Sequence, residues 1–278
     1  MAGNVSEDTA IRDSGTGRVA AFFDLDKTII ASSSTLAFSR PFYQGGLINR
    51  RAALRSAYAR LMFVQHGTDA EQVERLRAHL TSLCQGWDVA QVRAIVEETL
   101  HDIVDPLIYA EAAELIREHR EQGHDVVVVS ASGEEMVAPI AALVGATHCA
   151  ATRMAVADGR YTGEIDFYCY GDQKAEAMRE LAAANGYDLA ECHAYSDSIT
   201  DLPMLEAVGH PAAVNPNRAL RKVAIQRGWP ILTFSAPVPL HAKIATPTGG
   251  MVVAATAVGL GAVAAGVTWY GIRRRRGR

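Results

Sequence analysis

A chain of 278 residues, 49% of them hydrophobic, is long enough to bury one large core with a smaller domain beside it. Its formal net charge is −4, and five of its 27 basic residues are arginines in the last six positions. The preceding residues therefore set 22 basic groups against 31 acidic ones, and so acidic a body excludes a general nucleic-acid binder, which needs a basic footprint.

Residues 1–17 are small, polar and glycine-bearing, which predicts a disordered leader and no signal peptide. The first ordered segment is "VAAFFDLDKTII", Val19–Ile30. Its apolar start predicts a buried strand, and Asp24 and Asp26, two residues apart, emerge together at its carboxyl end. Two carboxylates so placed repel, so the pair asks for a metal, a shared proton or a turn that separates them.

The stretch from Ser34 onward lacks a β pattern. Leu47–Gly67, Asp69–Gly86 and Asp88–Val104 each carry apolar residues at helical spacing with caps or glycine stops, which predicts a helical insertion over 34–110. Glu111–Gly133 then reads as a helix, a glycine turn and the strand Val126–Val129, an unbroken apolar run suited to a parallel sheet covered on both faces. A helix follows from Glu134, with Ser130 a candidate for its cap. Ala151–Asp166 alternates around Asp158-Gly159, the signature of a hairpin. Helix, strand (Cys192–Asp197), helix and a closing "WPIL" complete an α/β pattern with a parallel, Rossmann-like sheet flanked by helices. His210 and the tryptophans Trp87 and Trp229 read as structural. The cysteines Cys84, Cys149, Cys169 and Cys192 form no CxxC pair and read as reduced thiols of a cytosolic protein.

The far end differs. After a linker over 235–250, Met251–Ile272 runs 22 residues without a charge and meets the basic tail 273–278. That length predicts a C-terminal transmembrane helix, with Trp269 and Tyr270 at belt positions. A cytoplasmic catalytic body and a cytoplasmic arginine cluster are incompatible with one full span. Either the arginines cross, or the helix lies in the interface.

The candidate chemistry sits at the carboxyl ends of the predicted strands, where open α/β sheets place their ligands. "DLDKT" (Asp24–Thr28), "VVVVS" (Val126–Ser130), Lys174 in "YGDQKAEAMREL" and "YSDSITDLPML" (Tyr195–Leu205) occur in that order. This ordered set resembles the four motifs of the haloacid dehalogenase superfamily of phosphohydrolases. The nearest subclass is the one that includes phosphoserine phosphatases, with its helical cap inserted between the first two motifs. The resemblance spans about residues 18–234, with core segments 18–33 and 111–234 and cap 34–110.

The resemblance implies a Mg2+-dependent phosphomonoesterase working through an aspartyl-phosphate. Asp24 would be the nucleophile and Asp26 the general acid and base. Asp24, Asp26 (through its backbone carbonyl) and Asp197 would hold the metal. Ser130 and Lys174 would hold the phosphate, with Thr28 grouped beside them as an organiser of the loop, and Asp201 would orient Lys174 or a metal-bound water. Phosphoserine phosphatases of the subclass carry a glutamate nine residues after the nucleophile, and here that position is Ser33. The "SSST" run looks more like a branch that includes actinobacterial proteins described as inhibitors of morphological differentiation. With a membrane tail, the expected partner is a phosphorylated small molecule or a lipid phosphate at a membrane. A phosphotransferase, or a non-catalytic membrane-tethered regulator, would carry the same motifs.

Overall fold

The structure is a computed structural model, and it describes residues 17–48, 81 and 84–235. Strand β1 (Ala20–Phe23) is buried along its whole length and lies at the centre of a seven-stranded sheet. The short helices α1 (Ser34–Ala37) and α2 (Ser39–Gln44) follow it. Helix α3 (Val89–Val104) starts where the sequence predicts, because the Asp88 carboxylate accepts a hydrogen bond from the Gln91 N–H at 3.1 Å and caps it. The helices expected over Leu47–Gly67 and Asp69–Gly86 lie almost wholly outside the described residues.

Helix α4 (Ala110–Glu121) leads into β2 (Asp125–Gly133), and α5 (Glu134–Leu143) leads into β3 (His148–Ala157). The hairpin partner is β4 (Arg160–Phe167), and the turn holds Asp158 and Gly159 at φ 49° and 74°, the left-handed pair that a tight hairpin requires. After α6 (Asp172–Asn185) come β5 (His193–Ser196), α7 (Leu202–Glu206), β6 (His210–Val214), α8 (Arg218–Arg227) and β7 (Ile231–Leu232). The strand order is β4-β3-β2-β1-β5-β6-β7, with only β4 antiparallel.

The period of two along each strand divides the core. Ala21, Phe23, Val126 and Val128 face a layer built on α4 and α5, against which α3 packs in turn, while Ala20, Phe22, Val127 and Val129 face α6, α7 and α8. Phe22 and Phe23 are fully buried on opposite faces, each contributing about 1.5–3 kcal/mol of burial. A strand buried on both sides has no reason to alternate, which is why Val126–Val129 reads as one apolar run.

Two sequence expectations need correction. Strand β2 does not end at Val129 but continues through a register shift to Gly133, since Ser130 and Gly133 still pair with β3. Ser130 consequently does not cap α5: its N-cap residue is Gly133. Among the described residues, no helix is long and apolar enough to cross a membrane. The segment 251–272, on which that expectation rests, lies outside them, as do the leader, the linker beyond Ser235 and the basic tail.

Gly209, just before β6, shows how closely the loops at the opposite edge of the sheet pack. A Cβ there would stand 1.7 Å from the Ala190 carbonyl oxygen, while the Gly209 N–H bonds to the Leu189 carbonyl at 2.9 Å. Gly209→Ala is expected to cost roughly 1–3 kcal/mol through forced backbone movement. In urea unfolding this appears as a lower midpoint with an unchanged slope.

Candidate active site

Beyond Phe23 the chain leaves the sheet in a tight loop. The Leu25 carbonyl accepts from the N–H groups of Thr28, Ile29 and Ile30 at 3.3, 2.9 and 3.1 Å. Lys27 takes φ 62° to close that turn, a left-handed conformation rare for a residue with a side chain. The loop ties back to β5 through the Asp24 N–H, which donates to the Tyr195 carbonyl at 2.9 Å. Asp24 is thereby fixed at the carboxyl end of β1, buried, with Asp26 half-buried behind it.

Lys174 meets Asp24 from the far side of the sheet. It lies in the first turn of α6, after Gly171 at φ 56°, a backbone conformation suited to glycine. Its Nζ donates to Asp24 Oδ1 at 2.6 Å and to Asp201 Oδ2 at 2.8 Å, and all three side chains are buried. Thr28 Oγ1 donates to the other Asp24 oxygen at 3.1 Å, and Ser196 Oγ donates to Asp201 Oδ2 at 2.7 Å. Burial disfavours the charge on Lys174, but Asp24 and Asp201 outweigh it and hold its pKa above the ordinary lysine value. Burial pushes Asp24 up to about 7; Lys174 pulls it down, while Asp201 and Asp26 push it further up. Asp197, at the end of β5, is likewise raised to about 6 by burial and Asp201, against the pull of Lys27 and Lys174.

Asp24, Lys174, Asp197 and Asp201 line a cavity of about 390 Å³, together with Asp26, Lys27, Ser33, Ser130, Tyr170 and Thr200. Of the residues predicted from sequence, Asp24, Asp26, Ser130, Lys174, Asp197 and Asp201 converge on it, and Thr28 sits beneath it on Asp24. Asp26 is held separately. Its Oδ1 accepts from the Ser34 N–H at 2.9 Å, and Ser34 Oγ reaches Ser132 Oγ at 2.7 Å, which in turn lies 3.5 Å from Asp26 Oδ2. Sequence reasoning missed Ser34, Ser132, Ser196 and Lys27. The "SSST" run was a visible signal for Ser34, but a serine's partner cannot be read from its neighbours.

The site offers three clustered carboxylates, Asp24, Asp197 and Asp201, to one buried ammonium. Burial first, and the neighbouring carboxylate of Asp201 second, raise Asp24 and Asp197 despite the nearby lysines. An all-oxygen set of that kind fits a hard divalent cation such as Mg2+. Asp24 and Asp197 would offer side-chain oxygens to such an ion, while one oxygen of the Asp26 carboxylate is engaged by the Ser34 N–H.

Residues 21–206 match the family model described as haloacid dehalogenase-like hydrolase. A Mycobacterium tuberculosis protein named as a probable phosphatase is 63% identical over 258 residues, covering 93% of this chain and 90% of the relative. The inhibition of morphological differentiation protein of Streptomyces azureus is 60% identical over 262 residues, covering 93% and 95%. Among solved structures, a phosphoserine phosphatase with a phospho-aspartyl intermediate analogue superposes with a TM-score of 0.57, at 20% identity, covering 79% of this chain and 95% of that one.

Lys174→Met strands the charges of Asp24 and Asp201 in the interior and is expected to cost about 3–5 kcal/mol near neutral pH. The raised Asp24 adds stability that is complete below its unfolded value of 3.8 and lost as pH rises through about 7. Without Lys174 that pKa rises further, so the deficit of the variant shrinks as the solution is acidified. Unfolding at pH values on both sides of 7 checks this.

Proposed function

The chain belongs to the haloacid dehalogenase-like hydrolases and is an enzyme of that kind, and we propose that it hydrolyses phosphomonoesters through a phosphate ester formed on Asp24. The observation that carries this reading is the buried Asp24 carboxylate, held by Lys174 at 2.6 Å and Thr28 at 3.1 Å on the floor of a polar cavity. A carboxylate that costs so much to bury, in a family of hydrolases, is best explained by its chemistry.

In the first half-reaction an Asp24 oxygen attacks phosphorus as the ester P–O bond breaks, and Asp26 gives its proton to the leaving oxygen. In the second, Asp26 takes a proton from water, the water oxygen attacks phosphorus, and the Asp24–phosphate bond breaks to release inorganic phosphate. The Ser34 N–H holds one Asp26 oxygen while Lys174 and Thr28 hold Asp24, so the two carboxylates have separate partners to go with separate roles. The phosphoryl oxygens are received by the Ser130 hydroxyl and by the third N–H of Lys174, whose other two hold Asp24 and Asp201. Bound at Asp24, Asp197 and the Asp26 carbonyl, Mg2+ would supply the positive charge that lets a carboxylate approach an anionic phosphate.

The segment 34–110 is assigned as a substrate-selecting cap on a core formed by 18–33 and 111–234. Ser33 at the cavity wall offers no carboxylate for the ammonium of free phosphoserine, so the substrate is taken to be another phosphorylated small molecule. If 251–272 anchors the chain to a membrane, a lipid phosphate would be the natural choice.

Phosphate release from a panel of soluble and lipid phosphomonoesters, with and without chelator, tests the reading. Asp24→Asn is expected to lower turnover by roughly 10³-fold or more, and chelation to abolish it. No Mg2+-dependent release from any ester, by folded protein, would favour a non-catalytic regulator. Turnover restricted to soluble esters would remove the lipid substrate.

Metal binding should also depend on pH in a defined direction. Protons compete for Asp197 and Asp24, whose carboxyls are raised to about 6 and about 7. The rise in Tm on adding Mg2+ is therefore expected to be larger above pH 7 than below pH 6. Thermal melts at the two pH values decide it.

A further inference from the structure

The opposite end of the sheet carries a second constellation that the phosphatase chemistry does not use. His119 lies in the last turn of α4, His124 in the turn before β2, and His193 and His210 open β5 and β6. Distant in sequence, they meet because β2, β1, β5 and β6 are neighbours and begin at the same edge. His193 pairs directly with His210 across the sheet, and their rings stack with centroids 4.8 Å apart. The ring centroid of His119 is 4.7 Å from that of His193 and 5.2 Å from that of His124.

We propose that His119, His124 and His193 form a binding site for a transition-metal ion of the Zn2+ class, separate from the carboxylate site. One ring nitrogen from each lies within 4.8 Å of the others. Nδ1 of His119 and Nδ1 of His124 are 2.9 Å apart, facing one another. In a tetrahedral zinc site, Zn–N bonds of about 2.0–2.1 Å place two nitrogens about 3.3 Å apart. The pair therefore needs to open by only a few tenths of an ångström, and the proton on His124 Nδ1 would move to that ring's Nε2, freeing both Nδ1 lone pairs for the metal while each ring stays a neutral imidazole.

The other side of His119 is already arranged as a ligand would need. Its Nε2 lies 2.8 Å from the buried hydroxyl of Tyr195. With Nε2–H donating to that oxygen, the lone pair of Nδ1 is left pointing at the site, as in metal centres where an outer hydrogen bond fixes the histidine tautomer. Burial, reinforced by neighbouring histidines, pushes His119 and His193 down to about 4, and burial alone lowers His124, so neutral pH leaves all three as imidazoles. His124 and His193 are half-buried and His210 is exposed, which gives an ion a route in and leaves a fourth position for water or His210. An all-imidazole set prefers Zn2+, Cu2+ or Ni2+, whereas Mg2+ prefers the oxygens at the other end of β5.

The test uses the full chain with excess Mg2+ present, titrated with Zn2+ by calorimetry and with Co2+ by visible absorption. One equivalent should bind, with the intense absorption of tetrahedral Co2+ and a Zn2+-dependent rise in Tm. His124→Gln and His193→Gln should each weaken binding by more than about tenfold, and Tyr195→Phe, which removes the outer hydrogen bond, by about 10–100-fold. Asp197→Asn should leave it unchanged. Absence of a Co2+ band and of any Tm rise in the unmodified chain overturns the proposal, whatever the variants do. Binding that survives both histidine substitutions, or that is lost only with Asp197→Asn, overturns it equally.

Discussion

The structure of the active end depends on one ammonium group. Lys174 is buried between Asp24 and Asp201, and each member would be intolerable without the others. That requirement reaches well beyond the three residues. It demands that β1 and β5 be adjacent, so that Asp24 and Asp201 come from neighbouring strand ends. It demands a glycine at 171, so that α6 begins where Lys174 can point inward. The remaining lone pairs also need donors, which are the hydroxyls of Thr28 and Ser196. Two carboxylates per ammonium still leave the cluster short of positive charge. A site whose polarity is completed by what it binds is poised to attract a cation and position a phosphate.

A parallel sheet gives the molecule two chemically unlike ends. Every strand of the central set ends on the carboxylate side, where loops bring oxygen donors together, and begins on the histidine side. Tyr195 touches both: its carbonyl holds the Asp24 N–H, while its hydroxyl meets His119 and its ring stacks on Phe23 at 4.5 Å. The same short strand thus anchors Asp24 and the histidine cluster.

Much of the architecture was legible from local pattern. The unbroken run Val126–Val129 marked a strand covered on both faces, Asp158-Gly159 marked the hairpin, and Asp88 marked the start of α3. Each of these rests on a preference confined to a few residues: burial on both sides, left-handed turn geometry, a side chain reaching its own helix. The sequence reading ends β2 too early because Ser130 and Ser132 are polar yet buried: Ser130 Oγ accepts from the Ser132 N–H, and the Ser132 hydroxyl meets Ser34 and Asp26, about a hundred residues earlier in the chain.

The sequence by itself marked out the groups that the proposed chemistry would use. Asp24, Asp26, Ser130, Lys174, Asp197 and Asp201 stand out because carboxylates and a lysine at strand ends are costly and their order is distinctive. Only the tertiary structure decided how they are wired. Lys174 bridges Asp24 to Asp201, Asp26 is held by Ser34 and Ser132, and Thr28 braces Asp24 rather than facing the cavity. The histidines at 119, 124, 193 and 210 had no shared motif to betray them. Their meeting follows from strand order, and strand order is set by which faces and edges can be buried together across the whole chain, a property no short stretch of residues contains.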